Sequence, residues 1–175
     1  MKRILIIAIA CTGLAAPGVL LATGVYQEPD AFIAETFDGR PPAPKALWVT
    51  APVKAEIEKI LGHAPPSLRI RYWAGGGRTA WILEEIGKEE PITTGIVVRG
   101  DAIERLRILI FRESRGWEVR HDFFTDQFPG VTLDGDRDLD RNIDGVSGAT
   151  LSVRAVTRLA RLALYLDSQV DDGGA

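Results

Sequence analysis

Cysteine is almost missing from this chain of 175 residues. The single one, Cys11, lies in the uncharged run near the start. Without a second thiol there is no disulfide, no thiolate metal centre, no c-type haem attachment and no iron–sulfur cluster. Redox chemistry, if present, must come from another kind of cofactor. Histidine is nearly as scarce. Only His63 and His121 occur, both before Ser147, so "GVSGA" lacks the downstream His that serves as the base of a nucleophile elbow. An excess of positive charge is also missing. The formal net charge is −3, and loss of the two cations Lys2 and Arg3 leaves −5. That balance excludes an overall basic nucleic-acid binder. No internal repeat of solenoid length is present.

The first residues, "MKRILIIAIACTGLAAPGVLLATGVYQEPD", pair a short basic start with an uncharged stretch from Ile4 to Val25. This is the pattern of a secretory signal or an uncleaved membrane anchor over residues 1–25. The expected location is therefore the cell envelope or periplasm. Residues 26–46 contain Pro41, Pro42 and Pro44 and read as a Pro-rich tether, with a short helical piece around Ala31 to Phe37.

Residues 47–170 read as one α+β domain. "VTAPVKAEIEKILGH" predicts a helix with Thr50 as N-cap, an apolar stripe of Val53, Ile57, Ile60 and Leu61, and a stop at Gly62. "SLRIRYW" and "TAWILEEI" predict a hairpin around "AGGGR". "PITTGIVVRG" and "AIERLRILIFRES" predict another, turning at Gly100-Asp101, so that "RGD" is a turn and not an adhesion motif. About four strands form one antiparallel sheet packed with helices. "GWEVRHDFFTDQF" predicts a helix with Trp117, Phe124 and Phe128 inward, and "LSVRAVTRLARLALYLDSQV" a long amphipathic one.

Between these last two segments lies "DRNIDGVSGATLSVRA". Asp140, Asn142, Asp144 and Gly145 match the first half of a calcium loop, but Leu151 stands where the closing Glu is needed. A solvated acidic turn and a calcium site both remain open for that half. Ser147, Gly148, Ala149 and Thr150 open the last helix. A helix start presents unpaired N–H groups and partial positive charge, and small residues let an anion approach the backbone. The alternative is a plain N-cap supplied by Ser147 or Thr150.

"DGVSGATLSVRAV" resembles the flavinylation motif of the FMN-binding domain family. That family includes the C subunit of the sodium-pumping NADH:quinone oxidoreductase and the G subunit of the Rnf electron-transport complex. Its pattern is Asp, two residues, Ser or Thr, a small residue, Ala, then Ser or Thr. Here these are Asp144, Ser147, Gly148, Ala149 and Thr150. "FRESRGWEV" resembles the family's Glu-x-x-Gly segment through Glu113 and Gly116, with Arg115 in place of the frequent Pro. The match spans about residues 92–166.

The resemblance implies covalent FMN on Thr150 through a phosphoester, with Ser147, Gly148, Ala149, Asp144, Glu113, Gly116 and Trp117 as cofactor-binding residues. His121 and Phe123 are further candidates for a wall against the flavin ring, and Arg154 for the phosphate. It also implies modification by a flavin transferase that uses FAD and magnesium, and membrane redox partners on either side of an electron carrier. No catalytic residue and no metal ligand are expected. The alternatives are a calcium-stabilised binding or adhesion module without flavin, and a structural subunit with this fold but no flavin.

Overall fold

The computed structural model describes residues 24–170. The expected signal or anchor segment, Cys11 included, lies outside them except for its last two residues. Among the described residues no helix is long and apolar enough to cross a membrane.

Six strands make one sheet: β1 (Gly24–Val25), β2 (Lys45–Trp48), β3 (Arg69–Gly75), β4 (Arg78–Ile86), β5 (Pro91–Arg99) and β6 (Ala102–Phe111). Their spatial order is β1-β6-β5-β4-β3-β2, and every neighbouring pair is antiparallel. The expected four strands are the central ones. Short edge strands extend the sheet on both sides. The β3–β4 hairpin turns at Gly76-Gly77 and the β5–β6 hairpin at Gly100-Asp101.

The sheet is covered on both faces. On one face lie α2 (Ala51–Leu61) and α4 (Thr150–Asp167). The stripe Val53, Ile57, Ile60 and Leu61 is buried, as its spacing predicts. It meets Trp81, Leu83, Ile96 and Phe111 from the sheet and Val156, Leu159 and Ala163 from α4. Thr50 occupies the N-cap of α2 without a side-chain bond, and Gly62 ends the helix in the left-handed region. The far end of α4 is pinned by polar groups inside this core. Thr79 donates to Asp167, and Trp81 Nε1 donates to Thr79 Oγ1 at 2.8 Å.

The other face carries α1 (Pro29–Thr36), which overlaps the short helical piece expected around Ala31 to Phe37 and is docked on the sheet. Phe32 and Ile33 are buried against Trp73, Ala80, Val97 and Leu109. Gly95 makes room for them, because a Cβ there would stand 2.7 Å from the Phe32 ring. Arg105 donates to Glu35 at 2.6 Å and to Thr36 Oγ1 at 2.7 Å, and lies over the Phe32 ring. Pro29 opens this helix, Pro41, Pro42 and Pro44 lie in the connection that follows it, and Lys45 and Ala46 already belong to β2.

The segment 117–128 is not one helix. It is a 3₁₀ turn (Trp117–Arg120), an extended His121, and a short helix α3 (Asp122–Thr125). Phe124 and Phe128 are fully buried, as expected, but Trp117 is 42% exposed. The left-handed Gly116 before the turn and the extended His121 within it break the helical phase.

Candidate functional site

The acidic loop leading to α4 is held by its own side chains. Leu133 and Leu139 form an isolated bridge, and Asp134 Oδ1 accepts the N–H groups of Asp136 and Asp138, each at 2.9 Å. Arg161 pairs with Asp138 at 2.6 Å. Arg141 donates to Asp140, which also accepts the Thr132 N–H, and these bonds hold the Asp140 carboxyl below the usual carboxylate range. Asp144 donates its N–H to Gln127 Oε1 at 2.6 Å, which fastens the loop to the end of the α3 segment. Among the described residues no three His, Cys, Asp or Glu side chains converge as a metal site.

After this loop the chain makes a tight turn. Ala149 donates its N–H to Val146 at 2.9 Å, and Gly148 has φ +80°, a conformation in which an L side chain is strained. The helix then begins at Thr150, with Ala149 at the N-cap. Neither Ser147 nor Thr150 caps it, because no side chain bonds to the N-cap turn. The first α-helical bond after the cap runs from the Val153 N–H to the Ala149 carbonyl at 2.9 Å. The N–H groups of Thr150, Leu151 and Ser152 therefore have no partner within the helix. Eighteen aligned residues add the partial positive charge of the helix dipole at this end.

These groups open into a cavity of about 620 Å³. Gly148, Ala149, Thr150, Leu151 and Ser152 form one wall, and Lys88, Glu113, Ser114 and Arg115 form the other. Thr150 is exposed to it, while Ala149 is buried beneath. The second wall is ordered by Glu113. Its Oε1 accepts the N–H of Lys88, that of Glu89 at 2.7 Å and that of Glu90 at 3.0 Å, and so it ties the β4–β5 turn to the end of β6. Burial opposes ionisation of this carboxyl. The three N–H bonds and the Lys88 charge outweigh it and hold the group below the usual carboxylate range.

Gly116 joins the two walls. Its φ is +83°, and a Cβ at this position would lie 2.7 Å from Ser152 Oγ and 3.3 Å from the Ala149 methyl. Only glycine lets the Glu113–Gly116 turn close onto the start of α4. Trp117 follows directly. Its ring meets His121 edge-on at 5.4 Å, and His121 stacks on Phe123 at 6.0 Å. Arg120 lies over both Trp117 and Tyr26. This strip is exposed, with Phe123 at 61%.

Among the residues expected from the sequence, Glu113, Gly148, Ala149 and Thr150 line the cavity and Gly116 packs beneath it. Ser147 is exposed on the turn that enters it. Asp144 and Trp117 are not part of the lining, and neither is Arg154, which is exposed on the helix. Sequence reasoning missed Lys88 and Ser152. Ser152 stands two residues beyond Thr150, in plain view of the motif. Lys88 is recruited only through the Glu113 bonds, for which a linear pattern has no signal.

The walls suit a phosphate-bearing ligand. They combine small residues, unpaired N–H groups, two cations and an accessible hydroxyl. No curated protein and no solved structure matches the chain. Residues 87–165 match the family model described as FMN-binding domain, an interval containing the Glu113–Gly116 turn and the start of α4. By that match, residues 87–165 form an FMN-binding domain, the family that the motif at Thr150 resembles.

Proposed function

We propose that the protein carries FMN covalently, through a phosphoester between the flavin's phosphate and Oγ of Thr150, and passes electrons along a redox chain of the cell envelope. The observation that carries this reading is the exposure of the Thr150 hydroxyl at an uncapped helix start, in a cavity that also holds Arg115 and Lys88. The bound flavin supplies the electron-accepting and electron-donating chemistry.

The chain's own residues attach, orient and shield. Thr150 acts as an acceptor for a flavin transferase that uses FAD and magnesium. Its O–H proton is lost, an O–P bond forms, and the phosphoanhydride of FAD breaks to release AMP. Gly148 and Ala149 keep the approach to the hydroxyl free of bulk. The unpaired N–H groups of the first turn favour the negative charge left on the phosphoester. Trp117, next in the chain to Gly116, offers an exposed flat ring to a flavin anchored there.

Export follows from the sequence alone, through the basic start and the uncharged run that ends at Val25. Outside the cytoplasm free FMN is diluted, and a covalent link makes occupancy independent of that concentration. The electron donor and acceptor are then membrane redox partners. The decisive test is intact-mass spectrometry after co-expression with the transferase in an exporting host. A full FMN adduct is expected on the wild type and on Thr150→Ser, and none on Thr150→Ala. An adduct persisting on Thr150→Ala would move the attachment elsewhere, with Ser147 the next hydroxyl to replace.

A further inference from the structure

The wall opposite Thr150 carries charges that attachment alone does not require. Arg115 stands where the family often has Pro, and among the described residues it makes no ion pair and no hydrogen bond. Lys88 pairs with Glu89 at 2.9 Å, but both side chains are about 70% exposed, so water screens the pair and either partner is free to exchange. The only carboxylate in the lining is that of Glu113, and its Oε1 is committed to three backbone N–H groups. No ion pair joins Glu113 to Arg115 among the described residues.

Arg115 is also close enough to Lys88 for its charge to oppose protonation of the amine, although the bond to Glu89 dominates and raises the Lys88 pKa. Glu113 attracts Lys88 as well, so the wall holds two cations against one carboxylate whose Oε1 is taken by backbone N–H groups, an excess of positive charge that a bound anion neutralises. Facing them, Ser152 is 4% exposed, lines the same cavity, and its hydroxyl has no hydrogen-bond partner among the described residues. The residue is buried, but its oxygen is not among the enclosed unpaired atoms, so the hydroxyl reaches the cavity and is available to a ligand there.

We propose that Arg115, Lys88 and the Ser152 hydroxyl form an anion clamp that binds the phosphate of FMN without the ester, and so selects phosphorylated flavin over flavin lacking phosphate. This rests on the reading that the flavin's phosphate sits at the start of α4. The clamp has two consequences. It holds the phosphoryl group beside Thr150 Oγ while the ester forms, and it restrains the first atoms of the cofactor afterwards. A tetrahedral anion accepts in several directions, which suits two flexible cations, a hydroxyl and first-turn N–H groups converging from opposite walls.

The test uses the full chain, kept in detergent and made without the transferase, so that the Thr150 hydroxyl is free. Titration of FMN and of riboflavin, followed by quenching of flavin fluorescence, gives the two dissociation constants. The wild type at low salt is expected to bind FMN about tenfold or more tightly than riboflavin, the equivalent of one charge-assisted bond. That preference should shrink with added salt. It should fall several-fold in Arg115→Gln and in Lys88→Gln, and nearly vanish in the double variant, with riboflavin affinity unchanged. Ser152→Ala, which keeps the volume, should reduce FMN binding alone. All these variants should melt within a few degrees of the wild type, because Arg115 and Lys88 are exposed and Ser152→Ala removes only an oxygen that has no hydrogen-bond partner among the described residues.

Equal binding of FMN and riboflavin by the wild type overturns the clamp, as does an unchanged preference in the double variant. Absence of binding by either flavin also overturns it. Failure of the attachment reading is distinct. It appears as no adduct on the co-expressed wild type while the preference for FMN remains. Normal adduct formation with equal affinities would overturn the clamp and leave Thr150 in place.

Discussion

Gly116 lies so close to Ser152 that a single added methyl group would stand 2.7 Å from the serine oxygen. This approach fastens the Glu113–Gly116 turn to the first turn of α4, and it sets the spacing of the two cavity walls. Gly116→Ala adds that methyl to a left-handed residue with φ +83°. The conformational cost alone is roughly 1–2 kcal/mol, and displacement of Ser152 adds to it. Urea denaturation should show a loss of about 2 kcal/mol or more. Flavin loading should fall with it, in contrast to Thr150→Ala, which removes the acceptor but leaves the unfolding midpoint nearly unchanged because its side chain is exposed.

Glu113 stabilises the β4–β5 turn only while ionised. Its folded pKa lies below the ordinary value, so its contribution is complete above the unfolded pKa and is lost as pH falls through the folded one. The difference in urea midpoint between wild type and Glu113→Gln should be full at neutral pH and shrink in acid. A gap that stays constant down to the acid limb would mean that the carboxylate charge contributes nothing to the turn.

His63 works with the opposite sign. Its pKa is raised, first by the bond to the Ala64 carbonyl and then by buried Glu85 at 3.0 Å, against the opposing effect of burial. The pair therefore stabilises the fold below the ordinary histidine pKa, and that contribution is lost as pH rises through the higher folded value. The histidine side chain is 49% exposed, so solvent keeps the effect small. Thermal melts of wild type and His63→Gln should differ at mildly acidic pH and converge in alkali. Divergence in alkali would reverse the sign.

Phe32 tests the cover on the second face of the sheet. It is fully buried, and truncation to Ala should cost about 3–5 kcal/mol. A loss below about 1 kcal/mol, within the range of a surface substitution, would return α1 to the status of a loose tether.

Much of this architecture is legible in the sequence because it is periodic. The stripe of α2 and the apolar face of α4 show their burial directly, and the apolar runs of β3 and β4 show strands, although with both faces covered their burial does not strictly alternate. The edge strands show nothing, since two residues in β1 and four in β2 are too few to alternate. The helix α1 shows as a short helical piece, but its docking on the sheet is hidden by composition. Its anchor is the pair Phe32-Ile33, and the prolines that follow it give the whole stretch the look of a linker. Trp117, Phe124 and Phe128 suggest one helix by spacing, but the backbone at Gly116 and His121 interrupts it. At the site, the wall formed by α4 is readable as a contiguous motif. The wall across from it is assembled by a long-range bond from Glu113 to a turn more than twenty residues earlier, which local patterning does not encode.

That assembly gives the cavity a place in time. Its walls come from the β4–β5 turn, the end of β6 and the start of α4, and α4 closes the described chain. None of these pieces offers the pocket by itself, so the acceptor hydroxyl acquires its surroundings only when the last helix docks on the finished sheet. On the proposed reading, the flavin bond is then a certificate of folding: yellow molecules are those that completed the sheet, and colour in a preparation counts them.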